Sequence, residues 1–347
     1  MNRTITTTIA NLGSEQVPQL KAPEYVGNSS KAIGLAVASM KRHMTDEGWQ
    51  IFEGLEQAGY ALFGHGLSNS QTDVSEILKA TPDVGVVLLQ DKREWDTKPN
   101  DFRDQEARFT NYQVLKDRPD IFKVTILKDS HQNPRYHAES AEEIGCHAWV
   151  VYYNEQIVHH LAKYTRPEHL IRTYHTINPQ IVPDINSAPR KRCLLSGAVS
   201  GAYPLRQRLV PMAASDPRID YLKHPSYHRN GCQTASYLRT LSNYKIAICT
   251  SSRYGYVLRK IIEATAAGCK VLTDLPVDEL VPEIEGNITR IHPEASERDI
   301  KRAIEIMLAE YNIDTQSMWS AKAKLRFNYV TETARLAEAI EALRRSY

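Results

Sequence analysis

Two groups of loop residues in this 347-residue chain carry side chains suited to chemistry. In the first half, QDKREWD (90–96) sets Asp91 and Glu94 among Lys92, Arg93 and Trp95. KDSHQNP (128–134) places Asp129 two residues before His131, and GHG (64–66) presents His65. A carboxylate near a histidine suits general-base work, because it orients the imidazole and raises its basicity. Each loop also fits a salt-bridged or solvated turn, and Arg93–Glu94 fits a structural ion pair. His175, in RTYHTINP (172–179), is a further histidine able to reach the same region.

In the second half, KIAICTS (245–251) runs into SRYGYVLRKIIEATAAGCKVLTDLP (252–276). The apolar run ends in Thr250, Ser251 and Ser252, whose hydroxyls and amides are expected at a helix N-terminus, which suits a phosphate. The helix, expected over 256–267, carries Lys260 and, two turns in, Glu263, where a carboxylate reaches vicinal hydroxyls. It closes on Ala264, Ala266, Ala267 and Gly268. RCLLSGAVSGAYPLRQRL (192–209) adds Ser196, Gly197, Ser200 and Gly201, then Arg206 and Arg208. Glycines let a backbone approach a diphosphate, and an arginine neutralises it. HPSYH (224–228) offers His224, Tyr227 and His228, with an aromatic for stacking on a base. The arginine pair equally fits a solvated helix face, and HPSYH a plain turn.

These loops need strands to hold them. IGLAVA (33–38), YALFGHG (60–66), VGVVLLQ (84–90), FKVTILK (122–128) and HAWVVYY (147–153) are short, continuous apolar runs, the pattern of strands buried on both faces of a parallel sheet. Helix-like segments such as 45–58, capped by Thr45 or Asp46, and 71–79 lie between them. The rhythm breaks at 177–191, where Pro179, Pro183 and Pro189 mark a linker. It resumes with strands at 192–197, 218–223, 245–251, 270–274 and 287–291. Helices follow at 231–242, at 297–310, with a Ser296–Asp299 capping box, and from 331 to 346. Strand–helix alternation implies right-handed βαβ units, and two such domains leave a cleft at the ligand ends of their strands. The expected division is a lead-in over 1–30, an N-terminal domain over 31–180, a C-terminal domain over 181–330, and a helix over 331–347 that crosses back.

Lys+Arg 43 against Asp+Glu 41 gives a net charge of +2, which demands neither nucleic acid nor an anionic membrane. The 5 cysteines are scattered without a CxxC, so free thiols in a reducing cytoplasm are expected rather than disulfides or structural zinc. No apolar run is long enough to span a bilayer, and the first residues lack the apolar core of a secretory signal. GHGLSN (64–69) lacks the third glycine of a dinucleotide fingerprint, and there is no P-loop, no H-E-x-x-H and no D-x-D.

The segment 245–276 resembles the donor-binding region of GT-B glycosyltransferases, particularly the group 1 enzymes and the spore-maturation-type bacterial group, over roughly residues 190–345. There, a strand, a loop and a pattern like R-x-x-E-x-x-A-x-G hold a nucleotide sugar. The resemblance implies an α/β GT-B fold of two Rossmann-like doubly wound domains facing a central cleft. It implies that Glu263 binds the donor ribose, and that the 250–256 loop, with Thr250, Ser251, Ser252 and Tyr254, holds diphosphate or sugar. The loop with Ser196, Gly197 and Arg206 would also contact the diphosphate, with Lys260, His224 and Tyr227 completing the donor site. Many retaining members carry a glutamate eight residues before the ribose ligand; here that position is Gly255, so the stereochemistry is not carried over.

The expected activity is therefore metal-independent transfer of a sugar from a nucleotide-sugar co-substrate, such as a UDP-sugar, to a hydroxyl acceptor. No other cofactor is expected. The general base is sought among Asp91, Glu94, Asp129 and His131, with His65 behind them. Alternatives on the same scaffold are a non-hydrolysing sugar-nucleotide epimerase, a glycosyltransferase acting on modified bases in DNA, and an inert carbohydrate- or nucleic-acid-binding protein.

Overall fold

A computed structural model describes residues 31–36, 45–90, 109–132, 134–154, 160–189, 191–225 and 232–347. Asp91, Glu94, Tyr227, His228 and the expected lead-in over 1–30 lie outside the described residues.

The first sheet has six strands: β1 (Lys31–Leu35), β2 (Ala61–Phe63), β3 (Val84–Gln90), β4 (Phe122–Leu127), β5 (Ala148–Val151) and β6 (Leu170–Arg172). Their order is β2-β1-β3-β4-β5-β6, and every pair is parallel. All residues of β3, β4 and β5 are buried, which is why these runs are mostly apolar rather than alternating; Lys123 in β4 is carried inside with its amine donating to the Leu115 and Arg118 carbonyls. Helices α1 (Glu47–Gln57), α2 (Val74–Ala80) and α3 (Pro134–Ile144) connect them.

The second sheet contains β7 (Lys191–Gly197), β8 (Ile219–Lys223), β9 (Tyr244–Ile248), β10 (Lys270–Thr273) and β11 (Ile288–Arg290). It is again parallel throughout, in the order β11-β10-β9-β7-β8. Around it lie α4 (Pro204–Ser215), α5 (Thr234–Leu241), α6 (Arg259–Ala266), α7 (Glu297–Ala309) and α8 (Ile313–Arg326). Ser296 caps α7 as its sequence implies: the hydroxyl accepts from the Asp299 amide at 3.2 Å.

The last helix, α9 (Tyr329–Arg345), packs on α1 of the first half. The chain crosses between the halves twice, and the two crossings touch. The Ile177 amide donates to the Phe327 carbonyl at 2.9 Å, and the Tyr329 amide donates to the Ile177 carbonyl at 3.1 Å.

Among the described residues, α3, the three-residue β6 and α8 went unanticipated. The expected 256–267 helix begins at Arg259 instead, so Thr250, Ser251 and Ser252 do not sit at a helix N-terminus, and Glu263 lies about one turn into α6 rather than two. The eight residues 251–258 remain a loop, held by contacts of its own.

Candidate functional site

β7 ends at Gly197, where φ is +122°. A side chain there would meet Arg206 Nη1 and Lys260 Nζ at 2.5 Å, so glycine supplies both the backbone conformation and the space for two cations. Arg206, in the first turn of α4, is 2% exposed. Its Nε donates to Thr250 Oγ1 at 2.9 Å, its Nη1 to the Ala198 carbonyl at 2.8 Å, and its Nη2 to the Thr250 carbonyl at 3.3 Å. Tyr203 lies against the guanidinium, 4.0 Å from ring centroid to Cζ. Lys260, in the first turn of α6, donates to the Ser196 carbonyl at 3.0 Å, and Ser196 Oγ pairs with the Tyr237 hydroxyl at 2.7 Å.

Every one of these bonds from the two cations goes to a neutral oxygen. Burial, followed by the Arg206 charge, brings the Lys260 amine down to about 8. Burial also lowers His224, at the end of β8, with Lys260 and then Arg206 adding to the effect, so the three groups share one positive field. Glu263 offsets part of the Lys260 charge and Asp274 part of the Arg206 charge, and an arriving anion adds counter-charge where the bonds themselves go to neutral oxygens.

The loop after β9 closes this region from the side. The Ser251 amide donates to Asp274 at 2.5 Å, and Ser252 Oγ accepts from the Tyr254 amide at 3.2 Å. Thr250 serves Arg206. These groups, read from the sequence as phosphate donors, spend their bonds shaping the loop and orienting the arginine.

Glu263 is 4% exposed and lies on the same helix as Lys260. Burial raises its pKa, and the neighbouring Asp46 and Glu47 raise it further, against Arg259 and Lys260. Arg259 Nε is 3.3 Å from Glu263, while its Nη2 is 2.6 Å from Asp46 at the start of α1.

Across from the cations stand the C-terminal ends of β4, β5 and β6. His131 Nδ1 lies 3.0 Å from the Tyr256 hydroxyl, and its ring stacks on Tyr254 with centroids 3.8 Å apart. Tyr153, just after β5, stacks on Tyr256 at 3.8 Å. Its hydroxyl bonds His175 Nε2 at 3.0 Å, and His175 Nδ1 meets Glu47. Burial opposes the Glu47 charge, but His175 and Lys128 hold its pKa well below the usual carboxylate range. Glu279, in the loop after β10, accepts from the Asn154 amide at 2.8 Å and from Arg172 at 2.5 Å. The ligand ends of both sheets therefore face each other.

Burial raises the pKa of both Tyr153 and Tyr203, and the Asp129 charge adds to each, so this carboxylate is felt from both halves. His65 follows β2 at the sheet edge, and β1 and β3 intervene before β4. At about 4.8 Å per strand, that places His65 roughly 14 Å from the Asp129 loop.

The structure thus gathers Ser196, Gly197, Arg206, His224, Thr250, Lys260 and Glu263 on one wall, with Asp129 and His131 opposite. Sequence reasoning missed Asp46, Glu47, Tyr153, His160 and Arg259. Asp46 was visible only as a helix cap. His160, whose Nδ1 is 3.0 Å from Ser130 Oγ beside His131, had no motif around it.

No protein-family model matches the sequence, and no curated protein sequence matches it significantly. Solved structures do match. A glycosyltransferase from Rickettsia africae aligns with a TM-score of 0.56 at 10% identity, over 92% of this chain and 100% of that one. Anabaena HepE in complex with UDP-glucose aligns at 0.57 and 10% identity, over 90% and 99% of the two chains. An alpha-glucosyltransferase in complex with UDP and a mismatched 13-mer DNA aligns at 0.52 and 12% identity, over 89% and 99%. The architecture is the GT-B fold: two parallel α/β sheets facing one another across a cleft.

Proposed function

We propose that this protein transfers a sugar from a nucleotide-sugar donor, such as a UDP-sugar, to a hydroxyl acceptor. The observation that carries this is the Arg206–Lys260 pair behind Gly197, two buried cations held by neutral oxygens at the ligand end of a parallel sheet. A donor diphosphate fits there in charge and position, with His224 adding to the field. As the sugar departs, charge builds on the leaving diphosphate, and prepositioned cations stabilise it without a metal ion. Glu263 is the carboxylate suited to the ribose hydroxyls. Asp129 faces the same space from the first sheet and is the best-placed general base, with His131 beside it. We divide the molecule into an acceptor half over 31–180 and a donor half over 181–330. Assignment to the spore-maturation-type group rests on the 259–268 segment, and the fold likeness to UDP-bound enzymes supports the donor class.

Calorimetric titration with UDP, GDP and ADP tests the donor site. We expect Arg206→Ala and Lys260→Ala each to weaken diphosphate binding by roughly 10-fold or more, the worth of a hydrogen bond to a charged group. Asp129→Asn should leave that affinity intact while slowing transfer, measured in EDTA, by about 10²–10⁴-fold. Unchanged nucleotide affinity in both cation variants sinks the donor assignment.

A further inference from the structure

Asp46 occupies the N-cap position of α1, yet its carboxylate makes no capping bond to that helix. An aspartate there ordinarily accepts from the amides of the first turn. Here the side chain turns to the other half of the molecule. Oδ1 forms an ion pair with Arg259 Nη2 at 2.6 Å and accepts from the Thr234 hydroxyl at 3.0 Å. Oδ2 accepts from Gln50 Nε2 at 2.6 Å, and Gln50 in turn accepts from Thr176. The first half gives up a local cap to reach two residues of the second.

Arg259 is thereby shared between two carboxylates, Asp46 from α1 and Glu263 from its own helix. Both Arg259 and Glu263 are buried. Burial opposes the Arg259 charge, but Glu263, Asp46 and Glu47 together raise its pKa, so it stays a cation. Because Asp46 engages Nη2 at 2.6 Å, Glu263 is left with the longer 3.3 Å contact to Nε. Without Asp46, the guanidinium fork is free to rotate onto Glu263 and take both of its oxygens, the geometry that arginine and carboxylate prefer. A carboxylate gripped in that way is turned edge-on to the guanidinium and has fewer acceptor sites aimed at a sugar hydroxyl.

We propose that Asp46 and Arg259 are positioning residues that keep Glu263 available to the ribose, so that discrimination between ribo- and 2′-deoxyribonucleotides depends on the two halves being closed on each other. This rests on the assignment of Glu263 as the ribose ligand. The diphosphate cations are a separate set, so the effect falls on sugar discrimination and not on anchoring of the phosphates.

The test measures the affinity of the tightest of UDP, GDP and ADP, each against its 2′-deoxy counterpart, for the wild type, Asp46→Asn and Glu263→Gln. The wild type should favour the ribonucleotide by about 10-fold or more. Asp46→Asn should bring the ratio close to unity while the 2′-deoxy compound binds as before. Thr234→Val removes the hydroxyl that steadies Asp46, together with its weak contact from the Cys232 thiol; should Asp46→Asn not fold, a smaller fall in the ratio is expected from it. If the ratio survives in the Asp46 and Thr234 variants but collapses in Glu263→Gln, the coupling is wrong and the ribose ligand is right. If it survives in Glu263→Gln, both are wrong. Absence of binding by any of the three nucleotides removes the donor assignment and this inference together.

Discussion

The Lys260 amine titrates between neutral and mildly alkaline pH. Its ordinary value is 10.5, and burial with the Arg206 charge lowers it to about 8. Because the folded value lies below the unfolded one, the folded chain gains stability as pH rises from about 8 towards 10.5. Below 8 it carries the full cost of the buried charge. Ligand affinity should run the opposite way, since a diphosphate needs the protonated amine. Nucleotide diphosphate binding is expected to weaken between pH 7 and 9.5, with proton uptake on binding near pH 8. The terminal phosphate, with its own pKa of about 6, stays ionised across that window. Calorimetry in buffers of different ionisation enthalpy reads the uptake, and Lys260→Ala should abolish it. At this scale Arg206, Lys260 and Glu263 were legible, because a small-residue turn followed by cations and an E-x-x-A-x-G run is a local pattern. Asp46 was not. Its neighbours in sequence make it a helix cap, and only Arg259, more than two hundred positions later, draws it away.

Among the elements, α8 and α3 escaped notice for one reason. The buried residues of α8 include Gln316, Ser320 and Ala323, and those of α3 are His137, Ala138, Ala141 and Ile144. Both stripes have helical spacing, but polar and small residues fill most of it, so no apolar period shows. The small residues in α8 serve close approach: Ser320 donates to the Ala266 carbonyl of α6 at 2.5 Å. The α1–α9 contact uses the same device. A methyl on Gly54 would lie 2.0 Å from Thr333 Oγ1. Gly54→Ala should therefore destabilise the fold by about 1–3 kcal/mol, as overpacking does, despite alanine's better helix propensity. Urea unfolding checks this, and Thr333→Ala in the same chain should restore part of the loss. A stabilised Gly54→Ala variant would mean that α9 is not held tightly against α1.

For the whole molecule, the paired crossings between the halves are pinned by Glu332 at the start of α9. This carboxylate is 1% exposed. It accepts from the Thr173 hydroxyl at 2.9 Å, the Tyr174 amide at 3.1 Å, and both Arg326 and Arg335 at 2.5 Å. Burial works against its charge, but the two arginines hold its pKa below the ordinary 4.5. The sign follows: its contribution to stability is complete above pH 4.5 and is lost as pH falls through the lowered value. Glu332→Gln removes the buried charge to which the partly exposed Arg326 and Arg335 bond, and should cost about 2 kcal/mol at neutral pH. The gap to wild type should narrow in acid. Chemical unfolding at pH 7 and below pH 4.5 measures both, and an equal gap at the two pH values would show that Glu332 is not ionised in the folded chain.

Sequence alone made most strands of the two parallel sheets legible, because strands covered on both faces are largely apolar along their length and that mark survives without neighbours; the three-residue β6 is too short to carry it. The glycine and arginine of the turn after β7 were also legible, because they lie within one strand–helix unit, whereas Lys260 reaches that turn from α6 only through the fold. Tertiary structure decided where α6 begins, since Ser251 and Ser252 are drawn into a loop by Asp274 and by their own backbone. It decided that Tyr256 and Tyr153 stack across the cleft, and that Asp46 leaves its helix for Arg259. These outcomes turn on distances between residues far apart in the chain. Local spacing carries no information about such distances, and buried charge is placed by the partner that arrives from elsewhere in the fold.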